Sequence, residues 1–187
     1  AIKTYQEALA LKPDFAIVHN NLGNLLSGEG KKHEARECYL KAIKYEPKFA
    51  LAHNNLGNLF KDQNNFKEAV NCFEKAVKCE PNLFVVYSNL GVAYQNLGKF
   101  DEAAKCYRRS LKINPNFSIA HRHLSMTTKY TEDNKHLKEM ENIISDSNIT
   151  DEQKMDLSFG LGKAYEDIKK YKKAFEYYKR GNEIKRN

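Results

Sequence analysis

The most reactive side chains of this 187-residue chain recur at even intervals: Cys38, Cys72 and Cys106 stand 34 residues apart, as do His19 and His53, and His121 follows two intervals later. Thiols can pair as disulfides, and thiols with imidazoles can hold zinc. The spacing opposes both. If each interval is one helical unit, corresponding helices lie about 8 to 10 Å apart, beyond the roughly 7 Å between Cα atoms that a disulfide can span. Cys72 and Cys79 are two turns apart on one helix and cannot pair either. One histidine per unit strings the imidazoles along an axis, with His123 near His121, whereas zinc ligands converge to about 2 Å from a single ion. The cysteines read as small buried residues, and four free thiols suit a reducing compartment, taken as cytoplasmic. No glycine-rich phosphate loop, nucleophile elbow or paired carboxylates in a cleft can be recognised. No catalytic residue, metal ligand or cofactor is therefore assigned, and the chain is read as non-enzymatic.

Asparagine is the more informative residue. The heptapeptide HNNLGNL stands at His19 to Leu25 and again at His53 to Leu59. The same interval carries Pro13, Pro47, Pro81 and Pro115, which are all the prolines, and Leu22, Leu56, Leu90 and Leu124. A fixed period of this size marks a stacked array of supersecondary units. With Ala16 as position 1 of a unit, apolar residues recur at helical spacing, giving a first helix over 16–28 and a second over 32–45. Pro47 stops the second, and Gly30, Asn64 and Gly98 at position 15 suit a left-handed turn between the two. Glycine at position 8 costs about 1 kcal/mol in a helix, which only the close approach of a partner helix offsets. A single hairpin cannot bury both sides of this surface, so stability must come from stacked neighbours.

These residues resemble the signature of the tetratricopeptide repeat (TPR) family, which has an aromatic at position 4, Leu at 7, Gly at 8, Tyr at 11, Ala at 20, an aromatic at 24, Ala at 27 and Pro at 32. The first complete unit gives His19, Leu22, Gly23, Leu26, Ala35, Tyr39, Ala42 and Pro47, with His in place of the aromatic. The resemblance implies an all-α fold, a right-handed superhelical solenoid of antiparallel helix hairpins. Its expected divisions are a second helix of a truncated repeat (1–15), three units (16–49, 50–83, 84–117), an irregular unit (118–150) and a C-terminal hairpin (151–187). Ala1 falls at position 20, so the chain is expected to begin in mid-repeat. In the irregular unit, Thr131 to Lys135 reads as a turn and His136 to Asp146 as a helix. Thr150 with Gln153 then forms a capping box, and the signature returns out of phase as Leu161, Gly162, Tyr165, Ala174 and Tyr178, with helices over 151–168 and 171–185. Eleven helices are expected in all.

Positions 2, 5, 6 and 9 form a second face of the first helix, about 200° from the packing face. They hold Asn20, Asn21 and Asn24, then Asn54, Asn55 and Asn58, then Ser88 and Asn89. Because first helices line the concave side of TPR arrays, Asn21, Asn55 and Asn89 are expected to climb the groove as a ladder. A carboxamide both donates and accepts, so each rung can pair with the backbone of an extended peptide. This is similar to the Asn ladder of O-linked N-acetylglucosamine transferases, which grips target peptides. The family's carboxylate clamp is not matched, because position 5 lacks lysine. Arg122 and His123 are the only basic groups at groove positions.

Residues 121–187, with FGLGKAYED and AFEYYKRGNEIKR, resemble the segment joining repeats to the catalytic domain in bacterial TPR–sulfotransferase fusions. That likeness implies a recognition or oligomerisation arm of a larger transferase, a sulfotransferase before a glycosyltransferase. The expected function is thus a non-catalytic module taking a peptide or partner segment in its groove, with the transferase arm as an alternative. The net charge of +7 offers a third reading, a basic surface for nucleic acid or membrane. Most of that excess lies in residues 163–187, with nine Lys or Arg against four Asp or Glu, and solvated lysines on helix faces account for it. No apolar run reaches the 18 or more residues of a membrane span. Self-association through the edge bearing Ile2, Tyr5 and Leu9 is a further expectation.

Overall fold

The computed structural model describes residues 2–186, and among them all regular structure is α-helical, in eleven helices. They are α1 (Ile2–Leu11), α2 (Ala16–Gly28), α3 (Lys32–Tyr45), α4 (Ala50–Asp62), α5 (Phe66–Cys79), α6 (Phe84–Asn96), α7 (Phe100–Ile113), α8 (Ser118–Thr127), α9 (Lys135–Ile144), α10 (Asp151–Asp167) and α11 (Tyr171–Arg186). None of the described helices is long and apolar enough to cross a membrane. The chain forms two compact units, Ala1–Leu97 and Gly98–Asn187.

In the first unit, α2 pairs with α3 and α4 with α5, and each second helix also packs on the next first helix. The turns repeat one hydrogen-bond scheme. Gly30 and Asn64 take left-handed φ of 77° and 59°. The following N–H then reaches back to the helix, Lys31 N to Leu26 O and Asn65 N to Phe60 O, both 2.9 Å. These are Schellman closures, which satisfy carbonyls that the helix end would orphan. The second unit uses the scheme again at Lys169, φ 61°, with Lys170 N donating to Tyr165 O at 2.9 Å. There a lysine occupies the position that Gly and Asn fill elsewhere, because the closure fixes the backbone whatever the side chain.

Close packing inside each hairpin centres on the position-8 glycine. A methyl group on Gly23 would lie 2.6 Å from Tyr39 Cε1, one on Gly57 2.7 Å from Phe73 Cε1, and one on Gly162 2.7 Å from Tyr178 Cδ1. The missing Cβ is thus filled by the aromatic ring from position 24 of the partner helix. Tyr39 and Phe73 are buried with Ala35, Ala42, Ala69 and Ala76, and at about 25 cal/mol per Å² such burial is the main stabilising contribution.

The second unit departs from this plan after α8. Its position 8 is Ser125, and α8 packs on α10, where a methyl on Gly160 would meet Met140 Sδ at 3.0 Å and Ser125 Oγ at 3.5 Å. Helix α9 is short and joins a core of Leu137, Met140, Ile144, Leu157 and Leu161. Asn134 caps it by accepting from His136 N, one residue earlier than the sequence suggests. Thr150 and Gln153 form the complete capping box that opens α10.

Candidate functional site

The face built from positions 2, 5, 6 and 9 divides into three levels in the first unit. Position 5 is beneath the surface: Asn20, Asn54 and Ser88 are only 3%, 9% and 3% exposed. Position 6 is half-buried, at Asn21, Asn55 and Asn89. Position 2 stands outermost, where Ile17, Leu51 and Val85 are 48%, 47% and 43% exposed. Asn24 is exposed and Asn58 half-buried.

Hydrogen bonds explain the buried level. Asn55 Nδ2 donates to Asn20 Oδ1 and to Asn24 Oδ1, both at 2.9 Å, and Asn89 Nδ2 donates to Asn54 Oδ1 at 3.1 Å. Within one helix, Asn54 Nδ2 donates to Asn55 Oδ1 at 3.3 Å. Expected as groove-lining residues, Asn20, Asn54 and Ser88 are buried, and the two asparagines tie successive first helices together. A buried carboxamide without partners costs about 1–3 kcal/mol, so the position-5 and position-6 residues satisfy one another. Asn24 also accepts from the Tyr39 hydroxyl at 3.0 Å, and Asn58 accepts from Lys61 Nζ at 3.1 Å.

The histidines at position 4 have a structural role. Nε2 of His19, His53 and His121 lies 2.8, 2.9 and 2.8 Å from the carbonyl oxygens of Pro13, Pro47 and Pro115. A carbonyl only accepts, so each Nε2 carries the hydrogen and donates. The imidazole fills an aromatic site and also satisfies the carbonyl of the proline that closes the preceding helix.

At His121 this bond extends into a chain. Its Nδ1, left as an acceptor, is 2.8 Å from His136 Nε2, and His136 Nδ1 is 2.6 Å from the Tyr130 hydroxyl. The one consistent assignment has Tyr130 donating to His136, His136 donating to His121, and His121 donating to Pro115. Burial, and secondly the neighbouring His121 ring, push His136 down to about 3, and burial lowers His121 as well. Both rings are therefore neutral, and they meet edge to edge and nearly coplanar, 8° between planes with centroids 5.0 Å apart.

The two basic residues expected in the groove belong to the second unit and are engaged there. Arg122 Nη1 lies 3.2 Å from Asp156 Oδ1 and its guanidinium stacks over Phe159. Asp156 is buried and also accepts from Ser118 Oγ at 3.0 Å. His123 stacks on Tyr107 with centroids 5.5 Å apart. Burial raises the Cys72 thiol to about 11 and the Cys38 thiol in the same direction, so neither presents a thiolate near neutrality. Sequence reasoning passed over the exposed apolar series at position 2, whose signal is an aliphatic residue recurring every 34 positions on the polar face.

Comparison with known proteins places this geometry. The Tetratricopeptide repeat family matches residues 84–117 and 156–187, and the related TPR repeat family matches 1–30, 28–64 and 57–98. Among curated proteins there is no match. The structure of YrrB, described as a TPR protein with an unusual peptide-binding site, is similar with a TM-score of 0.75 at 23% identity, covering 100% of this chain and 95% of that one. MamA is similar with a TM-score of 0.63 at 18% identity, covering 99% and 86%. The first TPR of Spaghetti (RPAP3), bound to the HSP90 peptide SRMEEVD, matches with a TM-score of 0.59 at 29% identity, covering 60% of this chain and 89% of that one.

Proposed function

This chain belongs to the tetratricopeptide repeat family, and from that premise we propose that it is a non-catalytic interaction module whose first helices over 16–97 hold an extended segment of a partner protein. One observation carries the proposal: a row of half-buried carboxamides, Asn21, Asn55 and Asn89, runs beside a row of exposed aliphatic side chains, Ile17, Leu51 and Val85. The first row can exchange hydrogen bonds with peptide N–H and C=O groups of any sequence. The second offers apolar area to every other side chain of an extended strand, which repeats with a period of two. The descriptions of YrrB as having a peptide-binding site and of the RPAP3 repeat as bound to a peptide support the same use here.

Selectivity follows from the charges. Positions 5 and 6 of the first unit hold asparagine or serine and no cation, so the preferred segment is apolar and neutral rather than acidic. At about 0.5–1.5 kcal/mol net per hydrogen bond, a few rungs give weak, broad binding.

Fluorescence anisotropy with labelled, uncharged decapeptides rich in aliphatic residues tests the proposal. Leu51→Glu combined with Asn21→Ala should weaken binding at least tenfold while leaving the helical circular dichroism unchanged. Equal binding by the double variant would remove the groove from consideration.

A further inference from the structure

The departure of the second unit from the hairpin plan leaves a space that a regular unit would fill. In the hairpins of the first unit the second helix packs on the first, its position-24 ring over the position-8 glycine that lies among positions 4, 7 and 11 of the first helix. In the second unit those positions are His121, Leu124 and Thr128. A second helix seated as in a regular hairpin is missing there, because α9 packs on α10 through Leu137, Met140 and Ile144 and meets α8 through the His136–His121 bond. A cavity of about 690 Å³ stands in its place, walled by α7 on one side and α9 on the other. That volume falls within the roughly 300–1,000 Å³ of small-molecule sites.

The lining has two characters. Its apolar part is formed by the half-buried Leu111 of α7, Ile143 of α9 and the neutral His136, while Leu124 and His121 at the lining are themselves buried. Arg108 and Lys112, one turn apart on α7, stand at the wall as exposed cations that form no ion pair among the described residues. The other lining cation, Lys135, is already paired with Glu139 at 3.5 Å. Thr128 Oγ1, also at the lining, is buried without a hydrogen-bond partner. Buried polar atoms in folded proteins are normally paired, so this hydroxyl marks the lining as imperfectly closed, although its oxygen lies beneath the cavity surface.

We propose that this cavity is a binding site for a small amphipathic anion, a flat aromatic or aliphatic body carrying one carboxylate, whose body rests on Leu111, Ile143 and His136 while its charge meets Arg108 and Lys112. The site is separate from the peptide groove proposed for the first unit and stands whether or not that groove binds a partner. The guanidinium presents paired N–H donors that match a carboxylate.

The probe is 2-naphthoate, and because the chain has no tryptophan the naphthalene fluorescence can be excited without interference from the protein. Titration of the full chain should saturate at one probe per chain. Arg108→Glu with Lys112→Glu should raise Kd at least tenfold, and 2-naphthalenemethanol, the uncharged analogue, should bind the unaltered protein at least tenfold more weakly. Asn142→Tyr, which fills the lining from an exposed position on α9, should abolish binding without touching either cation. Lys172→Glu with Lys179→Glu, the same charge change placed on α11, should leave Kd unchanged. Non-saturating binding, an unaltered Kd in the Arg108/Lys112 variant, or an equal loss in the α11 variant would overturn the proposal. Circular dichroism melts of each variant separate loss of the site from loss of the fold.

Discussion

His136 offers the sharpest test of how the second unit is held together. It accepts from Tyr130 and donates to His121, and a proton added to its Nδ1 would break the first bond and place a charge among buried rings. Its folded value of about 3 lies below the ordinary 6.5. Unfolded chains therefore bind a proton in a pH range where the native state does not. The neutral ring's contribution is fully present above about pH 6.5 and is lost as pH falls towards 3. At 1.36 kcal/mol per unit of pKa shift, lowering the pH from 7 to 5 should remove about 2 kcal/mol through this residue alone, with His121 adding to it in the same direction. Carboxylates remain largely ionised across that interval, so they do not confuse the reading. Arg108 opposes protonation of His136 and Glu139 favours that of His121, so both charges should be kept in place. The assay is urea unfolding at pH 7 and at pH 5, followed through α10 amide resonances, for the wild-type chain and for His136→Phe, which keeps a ring but cannot titrate. The wild type should lose about 2 kcal/mol more than the variant over this interval. Equal losses, or a folded-state His136 resonance titrating with a midpoint near 6.5, would refute the neutral hydrogen-bonded chain.

Two further substitutions test the packing. Gly57→Ala gains about 1 kcal/mol of helix propensity but sets a methyl 2.7 Å from Phe73 Cε1, and overpacking of this kind costs about 1–3 kcal/mol. A net loss of about 1 kcal/mol is expected in urea unfolding, relieved when Phe73→Leu is added, and a gain in stability would contradict the ring-over-glycine contact. Lys169→Gly removes the cost of a left-handed conformation at a lysine and should stabilise the second unit by about 0.5–1 kcal/mol, read as a higher urea midpoint. A lower midpoint would mean that the lysine side chain outweighs its backbone strain.

The all-α fold and the helix boundaries in the regular region were legible because one spacing governs proline, glycine, leucine and alanine together. Each residue type has one mechanical reason to be there, so agreement among them leaves few alternatives. The split of the asparagine face was not legible. Positions 5 and 6 are adjacent in sequence and identical in type, and only the sideways contact of neighbouring first helices decides that Asn54 is buried while Asn55 is half-buried. The histidines looked like substitutes for aromatics, and their bond to a proline carbonyl six residues back needs the three-dimensional turn. The packing role of the C-terminal motifs, which resemble a junction to a further domain, was not legible either. Gly162 lies under Tyr178, Gly181 under Phe159, and Asp167 takes Lys129 Nζ and the Tyr130 N–H at 3.0 and 3.1 Å. The cavity beside α9 was invisible because it comes from the absence of a pattern, and a missing helix does not announce what occupies its place.

The cross-tie between first helices has an evolutionary reading. Residues 50–83 carry both halves of it, since Asn55 gives to the preceding unit and Asn54 receives from the following one. A duplicated copy spliced in next to the original would find an acceptor on one side and offer one on the other, leaving no carboxamide stranded. Such a segment is its own adaptor, and an array assembled from it can lengthen by unequal recombination without any compensating change at the new junction.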